Sequence, residues 1–438
     1  MKAFSSAAEI YRLFRKHRKV CTDTRQIVPD SLFFALKGDK FNANTLAAEA
    51  IEKGCAYAIV DEPKYAKHPQ CLLVEDVLAS LQEVARLYRR DLFIPFIGIT
   101  GTNGKTTTKE LMRSVLSVRF RTFATEGNLN NHIGVPLSIL SIPANTEIAI
   151  IEMGASHPGE IADLCRICMP TFGLITNIGA AHLEGFETFD RIVETKTALY
   201  RFVERTNGKL FVNANNPLLL KQSAAAERFL YGGQPNYYTQ VKNLSAENIY
   251  LNVKLSGPSS APNITEIATH LIGGFNLDNV AAAACAGRYF GLNDKEIKQG
   301  IENYTPRNMR SQIIQTKDNI LVADAYNANP SSMQLSLESF FEMHTPHTKA
   351  YILGDMMELG KFSELEHLKI VDILKEQRAD NVFLIGPHFA KTQAPKTFKH
   401  FSTTKALLDY LKTNPLKQHC ILIKGSRAMQ LEKAIEVL

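Results

Sequence analysis

The feature that most constrains this chain is a glycine-bounded turn, Gly101-Thr102-Asn103-Gly104-Lys105-Thr106-Thr107, placed between an apolar run and an amphipathic segment. Residues 93–100 read as a buried strand, and Leu111, Met112, Val115 and Leu116 then fall on one helical face. Strand, glycine loop and helix in that order make a phosphate cradle. The glycines let backbone N–H groups turn inward, the helix N-terminus adds partial positive charge, and Lys105 can reach the terminal phosphates of a nucleotide. Thr106 would offer its hydroxyl to a magnesium ion. The turn has the short G-x-x-G-K-[ST] form, because Ile99 stands where the longer motif carries its first glycine.

Such a cradle belongs on a parallel sheet covered by helices, and the surrounding sequence fits one. Short apolar runs at residues 148–151, 173–176 and 209–212 alternate with helical stretches, and a helix is expected over Leu277–Tyr289. Between them, residues 237–271 alternate polar and apolar around a turn at residues 257–260, which predicts an antiparallel appendage on the same sheet. Before the cradle, a helix at residues 7–16, strands at 32–36 and 56–60 and a helix at 77–90 form a small α/β unit. After Pro306 come four apolar runs at residues 320–323, 350–353, 382–385 and 421–423, with helices expected at 331–341 and 427–437. The fold class is therefore α/β with three domains: an N-terminal domain over 1–88, a central phosphate-loop domain over 89–305 and a doubly wound, Rossmann-like domain over 306–438.

Composition narrows the function classes. With 45% hydrophobic and 21% charged residues the chain reads as globular and water-soluble, and it has no apolar stretch long enough to span a bilayer. The first thirty residues carry Glu9, Asp23 and Asp30 and no apolar signal core, so a cytoplasmic location is expected, without membrane insertion. A formal charge of +6, spread over 50 basic and 44 acidic residues, does not predict nucleic-acid binding, while a mild positive balance suits phosphate-bearing substrates. Seven scattered cysteines argue for reduced thiols, and Cys165 and Cys168 read as core residues of a helix, not as a metal site.

Three downstream residues are candidates for the same chemistry. Glu152 ends the run at 148–151, where a strand-end acid would face the loop and hold magnesium, although an acid there is also a common structural feature. His182 follows a strand, with a structural role as the alternative. Lys196 lies on a helix of mixed polarity, where a solvated lysine is the plain reading.

Taken together these segments resemble the Mur ligase family almost end to end. Gly101 to Thr107 is similar to the family's ATP loop, Ile151-Glu152-Met153-Gly154-Ala155 to its magnesium acid, and Thr176 to Glu184 to its histidine segment. The resemblance implies that Asn276 and Asn279 approach the adenine nucleotide, with Phe275 where the family usually has histidine. It also implies that Arg310, preceded by Met309 in place of the usual glycine, lies at the entry to the third domain, and that Asp324 meets the ribose. Lys196 would be carbamylated and would help His182 hold a second Mg²⁺, the first resting on Thr106 and Glu152. Lys105, Glu152, His182 and Lys196 are then the catalytic set, and Gly101, Thr102, Asn103, Gly104, Lys105, Thr106 and Thr107 the nucleotide loop.

Within the family, Asn128 to Pro136, Asp324 to Pro330 and Leu353 to Gly360 resemble the branch that adds D-alanyl-D-alanine. The resemblance implies that Thr24, Arg25, Ser31, Asn130, Asn131, Asn327 and Asn329 contact substrates. These would be ATP, a UDP-N-acetylmuramoyl-tripeptide ending in lysine or diaminopimelate, and D-alanyl-D-alanine. It implies an acyl-phosphate route, a monomer, and closure of the third domain about a hinge near residues 303–310, from an open form to a closed ternary complex. The alternatives are the related ligase that extends a UDP-muramoyl dipeptide, a folate polyglutamate ligase, and a nucleotide-binding regulator without catalysis. A GTPase is disfavoured by the lack of an N-K-x-D motif.

Overall fold

A computed structural model describes residues 3–244, 249–257 and 264–438. The sheets follow the periodicity of the chain. Four short parallel strands near the N-terminus, in the order Val20–Cys21, Leu32–Phe34, Tyr57–Val60 and Cys71–Leu73, are flanked by helices Ala7–His17 and Ala47–Glu52. Ser6 closes a capping box on the first of these helices, which buries Ile10 and Phe14. Helix Val77–Asp91, capped by Asp76, runs through the expected boundary at residue 88. It packs on helix Ala7–His17 on one side and on helices Gly134–Leu140 and Glu160–Cys168 on the other, so the first two domains share a helix and not a linker.

The central sheet has nine strands. In spatial order they are Thr265–Ala268, Asn252–Ser256, Thr239–Asn243, Glu227–Gly232, Lys209–Asn213, Phe172–Ile175, Phe96–Thr100, Ile148–Glu152 and Thr122–Ala124. Pairing is parallel except at the last two strands of the Thr265 edge, so the expected antiparallel appendage is the continuation of the sheet itself. The turn expected at residues 257–260 lies, from residue 258 on, outside the described residues. Cys165 and Cys168 are fully buried thiols in the core beneath this sheet, as their apolar surroundings predict.

The third sheet has six strands where four were expected. Gln312–Gln315 pairs antiparallel with Ile320–Asp324, and Lys399–Phe401 closes the far edge. Both are short, lie at sheet edges and carry polar residues, so neither shows an apolar run. The expected helix at 427–437 is instead two 3-10 segments, Arg427–Met429 and Leu431–Val437, broken at Gln430 with φ 50°. The three parallel strands Ile320–Asp324, Thr348–Gly354 and His419–Lys424 end at loops that face the central domain, and those loops contribute to one wall of the site.

Candidate active site

Strand Phe96–Thr100 is entirely buried and is followed by Gly101, and helix Lys105–Leu116 begins four residues after that glycine. Two glycines make that turn possible. At Gly101 (φ 146°) a Cβ would come within 2.0 Å of Thr176 Oγ1, and at Gly104 (φ 77°) within 2.7 Å of Asn279 Oδ1. The neighbouring strand-end segment braces the loop. Thr102 N donates to Asn177 O (2.9 Å), Asn103 N to Asn177 Oδ1 (3.0 Å), and the Thr176 hydroxyl to Asn103 O (2.6 Å). No side chain caps the helix, so its first-turn N–H groups are left to face the cavity.

Lys105 folds back on its own loop, with Nζ donating to Gly101 O (2.8 Å) and Thr102 O (2.9 Å). Burial pulls its ammonium below the ordinary lysine range; Glu152 opposes that shift and Arg310 adds to it. The Thr106 hydroxyl donates to Glu152 Oε2 (2.9 Å), Asn130 Nδ2 donates to Oε1 (2.9 Å), and Glu152 N is anchored on Thr125 Oγ1 (3.0 Å). Threonine hydroxyl and carboxylate are the hard oxygen donors that Mg²⁺ takes together with phosphate oxygens, so this pair fits that ion. Among the described residues no three His, Cys, Asp or Glu side chains gather into a metal cluster by themselves.

Lys196 is where the plain sequence reading fails. On helix Phe189–Arg205 it is 3% exposed, and its Nζ donates to Gly101 O (3.0 Å). Burial, helped by the Lys105 ammonium, lowers its pKa to about 7. The sequence did hold the clue: Ile192, Lys196, Leu199 and Val203 share one buried stripe of the helix. His182, in the left-handed region with φ 51°, meets Glu358 of the third domain through Nδ1. Desolvation lowers its pKa, Glu358 opposes that, and the nearby Lys105 and Lys196 ammonium groups reinforce it.

All four catalytic candidates line one cavity of about 700 Å³, together with the loop 101–107, Asn276, Asn279, Arg310, Asp324, Asn130, Asn131, Asn327 and Asn329. Several of these are also structural. Asn279 accepts from Thr108 Oγ1 (2.9 Å) and donates to Asn276 Oδ1 (2.8 Å), Asn131 Oδ1 accepts from Gly134 N (2.8 Å), and Asn329 caps helix Pro330–Glu342. The guanidinium of Arg310 stacks over Tyr326 at 3.8 Å. Asp324 accepts from Ser311 N (3.0 Å), Ser336 Oγ (2.7 Å) and Lys424 Nζ (2.5 Å). The two domains also touch at the loop itself, where Asn103 bonds to Asn329 Nδ2 (2.9 Å) and to Ser331 Oγ (2.8 Å).

Thr24, Arg25 and Ser31 are not brought into this cavity. Thr24 and Ser31 are buried in the first domain, the Ser31 hydroxyl lies 3.3 Å from Cys55 Sγ, and the exposed Arg25 pairs with Asp23. Sequence reasoning gave no role to Lys109, Phe275, Glu358 or Lys424. Lys109 is wholly buried against Thr125 O and Glu110, 3.9 Å from Glu152 Oε2, which holds a positive charge behind that carboxylate.

Comparison with known proteins agrees with this arrangement. The Mur ligase middle domain matches residues 99–287, and the Mur ligase glutamate ligase domain matches residues 309–427. The UDP-N-acetylmuramoyl-tripeptide--D-alanyl-D-alanine ligase of Bacillus subtilis (strain 168) is 34% identical, over 96% of this chain and 92% of that one. Crystal structure I of MurF from Acinetobacter baumannii superposes with a TM-score of 0.87 at 27% identity, covering 98% of both chains. MurF ligase from Thermotoga maritima in complex with ADP gives 0.85 at 27% identity, covering 96% of this chain and 97% of that one.

Proposed function

The chain belongs to the Mur ligase family, and on that premise we propose that it joins D-alanyl-D-alanine to a UDP-N-acetylmuramoyl-tripeptide at the expense of ATP. The products are ADP, phosphate and the UDP-muramoyl-pentapeptide of peptidoglycan synthesis. The observation that carries this reading is the uncapped helix N-terminus at Lys105, with Lys105, the Thr106–Glu152 pair and Lys196 converging on one cavity that the third domain covers.

In the reaction the terminal carboxylate of the tripeptide attacks the γ-phosphorus of ATP, the β,γ P–O bond breaks, and an acyl phosphate forms. The dipeptide's ammonium group loses a proton to solvent, the free amine attacks the carbonyl carbon, phosphate departs with the bonding pair, and the nitrogen gives up its second proton to leave the neutral amide. Every participant in the first step is negative, so this chain's contribution is charge neutralisation and positioning. Lys105 leaves the carbonyls of Gly101 and Thr102 for the terminal phosphate, and the N–H groups of residues 104–107, which the braces to Asn177 leave free, hold the phosphates between them. Asn276 and Asn279 line the path of the nucleoside, with Arg310 and Asp324 on the facing wall.

Mg²⁺ fits the hydroxyl of Thr106 and the carboxylate of Glu152, and a second ion would take His182 and a carbamate on Lys196; such ions supply Lewis-acid charge to the phosphoryl group. An amine with a pKa of about 7 is largely neutral at physiological pH, and a neutral amine adds CO₂ with release of one proton. Thr24, Arg25 and Ser31 would serve the UDP-sugar end through their backbone and the exposed Arg25 head, and Asn130, Asn131, Asn327 and Asn329 the peptide end.

The contacts of Asn103 with Asn329 and Ser331 are ones that a closed form would keep and an open form would lose. Opening would turn on residues 303–310, where Asn308 and Met309 already hold positive φ. The enzyme acts as a cytoplasmic monomer, its cavity completed by the domains of one chain. Incubation with ATP, Mg²⁺, D-alanyl-D-alanine and each of the two UDP-tripeptides, followed by mass spectrometry, should yield the pentapeptide. No mass gain with either tripeptide contradicts the reading.

A further inference from the structure

The loop after strand Thr348–Gly354 is held more tightly than a surface connection requires. Asp355 is fully buried and accepts from His388 N (2.8 Å) and Phe389 N (2.9 Å). The equally buried His367 accepts from Met356 N at Nε2 (3.0 Å), and Met357 N donates to Ser426 Oγ (2.9 Å). Three successive residues are thus pinned, and the fourth, Glu358, is pushed out into the cavity with φ 62°. A non-glycine residue in the left-handed region costs energy, and rigid neighbours are what keep it there. Its side chain is 62% exposed, so its ion pair with His182 does nothing to relieve burial of the acid. One carboxylate oxygen meets His182 Nδ1; the other has no hydrogen-bond donor among the described residues.

The rest of the cavity explains what such an oxygen is for. Lys105, Lys196, Arg310, Lys424 and a helix N-terminus all favour anions, and a positively charged group entering there needs a carboxylate with an oxygen still open to it. Glu152 is held through both oxygens by Thr106 and Asn130, and Asp324 is neutralised by Lys424. Glu160, with one oxygen on two backbone N–H groups, and Asp163, paired with Arg166, both lie on helix Glu160–Cys168, and among the described residues neither bonds to a catalytic candidate as Glu358 does to His182. Glu358 stands beside His182, which lines the same cavity as Lys105, Lys196 and the phosphate loop. We propose that Glu358 is the residue that receives the ammonium group of the incoming dipeptide and sets its nitrogen toward the acyl phosphate. This rests on the ligase reading above and adds the acceptor contact to it.

The test uses the full-length enzyme with ATP, Mg²⁺ and UDP-tripeptide, and compares D-alanyl-D-alanine with hydroxylamine, a nucleophile that is uncharged at neutral pH and has no ammonium to bind. Glu358→Gln should raise the KM for the dipeptide by about 10- to 100-fold, the worth of a charge-assisted hydrogen bond, and Glu358→Lys more. Hydroxylamine-dependent ADP release should fall at least about tenfold less than the dipeptide reaction in Glu358→Gln, and far-UV circular dichroism shows separately that both variants are folded. An unchanged dipeptide KM overturns the proposal. So does an equal loss with both acceptors, which would mean that Glu358 acts by orienting His182 in the phosphoryl step. If the unaltered enzyme releases no ADP with either acceptor, the ligase reading has failed and the proposal falls with it.

Discussion

The two walls of the cavity are built on different principles. The central-domain wall comes largely from contiguous sequence, residues 101–107, and from strand ends immediately beside it; its polar atoms are buried and cross-braced to Thr176, Asn177, Asn130 and Asn279. The third-domain wall comes from loops at the ends of separate strands, and it meets the central domain at the phosphate loop through a few side-chain contacts, Asn103 with Asn329 and Ser331, and His182 with Glu358. A prebuilt, saturated wall suits a transfer whose catalysis is charge placement. A wall held by a handful of polar contacts suits one that must admit and enclose a second substrate.

The largest expected effect lies on the central side. Lys105→Ala should lower tripeptide-dependent ADP release by about a thousandfold, the scale of losing one preorganised transition-state charge, while leaving the fold intact; a loss under tenfold would erase the distinction between the walls. Next is the titration of Lys196. Its pKa of about 7 means that the amine is neutral above that pH and protonated below it, where an ordinary lysine stays protonated throughout. Carbamate occupancy at fixed dissolved CO₂ should therefore fall about a hundredfold from pH 6 to pH 5, tenfold through protonation of the amine and tenfold through the proton that carbamate formation releases, and activity with it. Carbon-13 NMR of enzyme equilibrated with labelled CO₂ reads this directly, and an occupancy that rises on acidification would break the account. The smallest effect belongs to the third-domain side: Asn329→Ala should cost about 3- to 10-fold in kcat/KM for the dipeptide and shift solution scattering toward a more extended particle. Unchanged scattering would mean that the polar contacts do not hold the walls together.

What the sequence revealed follows the same division. The nucleotide loop was legible because its signals are local: an apolar strand, two glycines in a short span, and a helical stripe from Leu111 to Leu116. The extra strands Gln312–Gln315 and Lys399–Phe401 were not, since short polar edge strands carry no alternation strong enough to read. The segment at 427–437 has a helical stripe but breaks at Gln430, where positive φ depends on packing and not on composition. Lys196 read as a solvated lysine from its charge alone and entered the catalytic set only through the family resemblance; its place on the stripe of Ile192, Leu199 and Val203 was the local clue. The pairing of His182 with Glu358 joins residues 176 positions apart, and no spacing rule reaches that far. The sheltered positions of Thr24 and Ser31 were equally invisible, because their burial comes from the first domain's own core.

The account turns on the terminal phosphate of ATP lying between the loop at Gly101 and the pair Thr106–Glu152. A crystal structure with a non-hydrolysable ATP analogue and Mg²⁺ measures this most directly. The account predicts Lys105 Nζ drawn off the carbonyls of Gly101 and Thr102 onto the γ-phosphate, with the metal bound by Thr106 and Glu152. A nucleotide bound elsewhere, with Lys105 still on those two carbonyls, would contradict it.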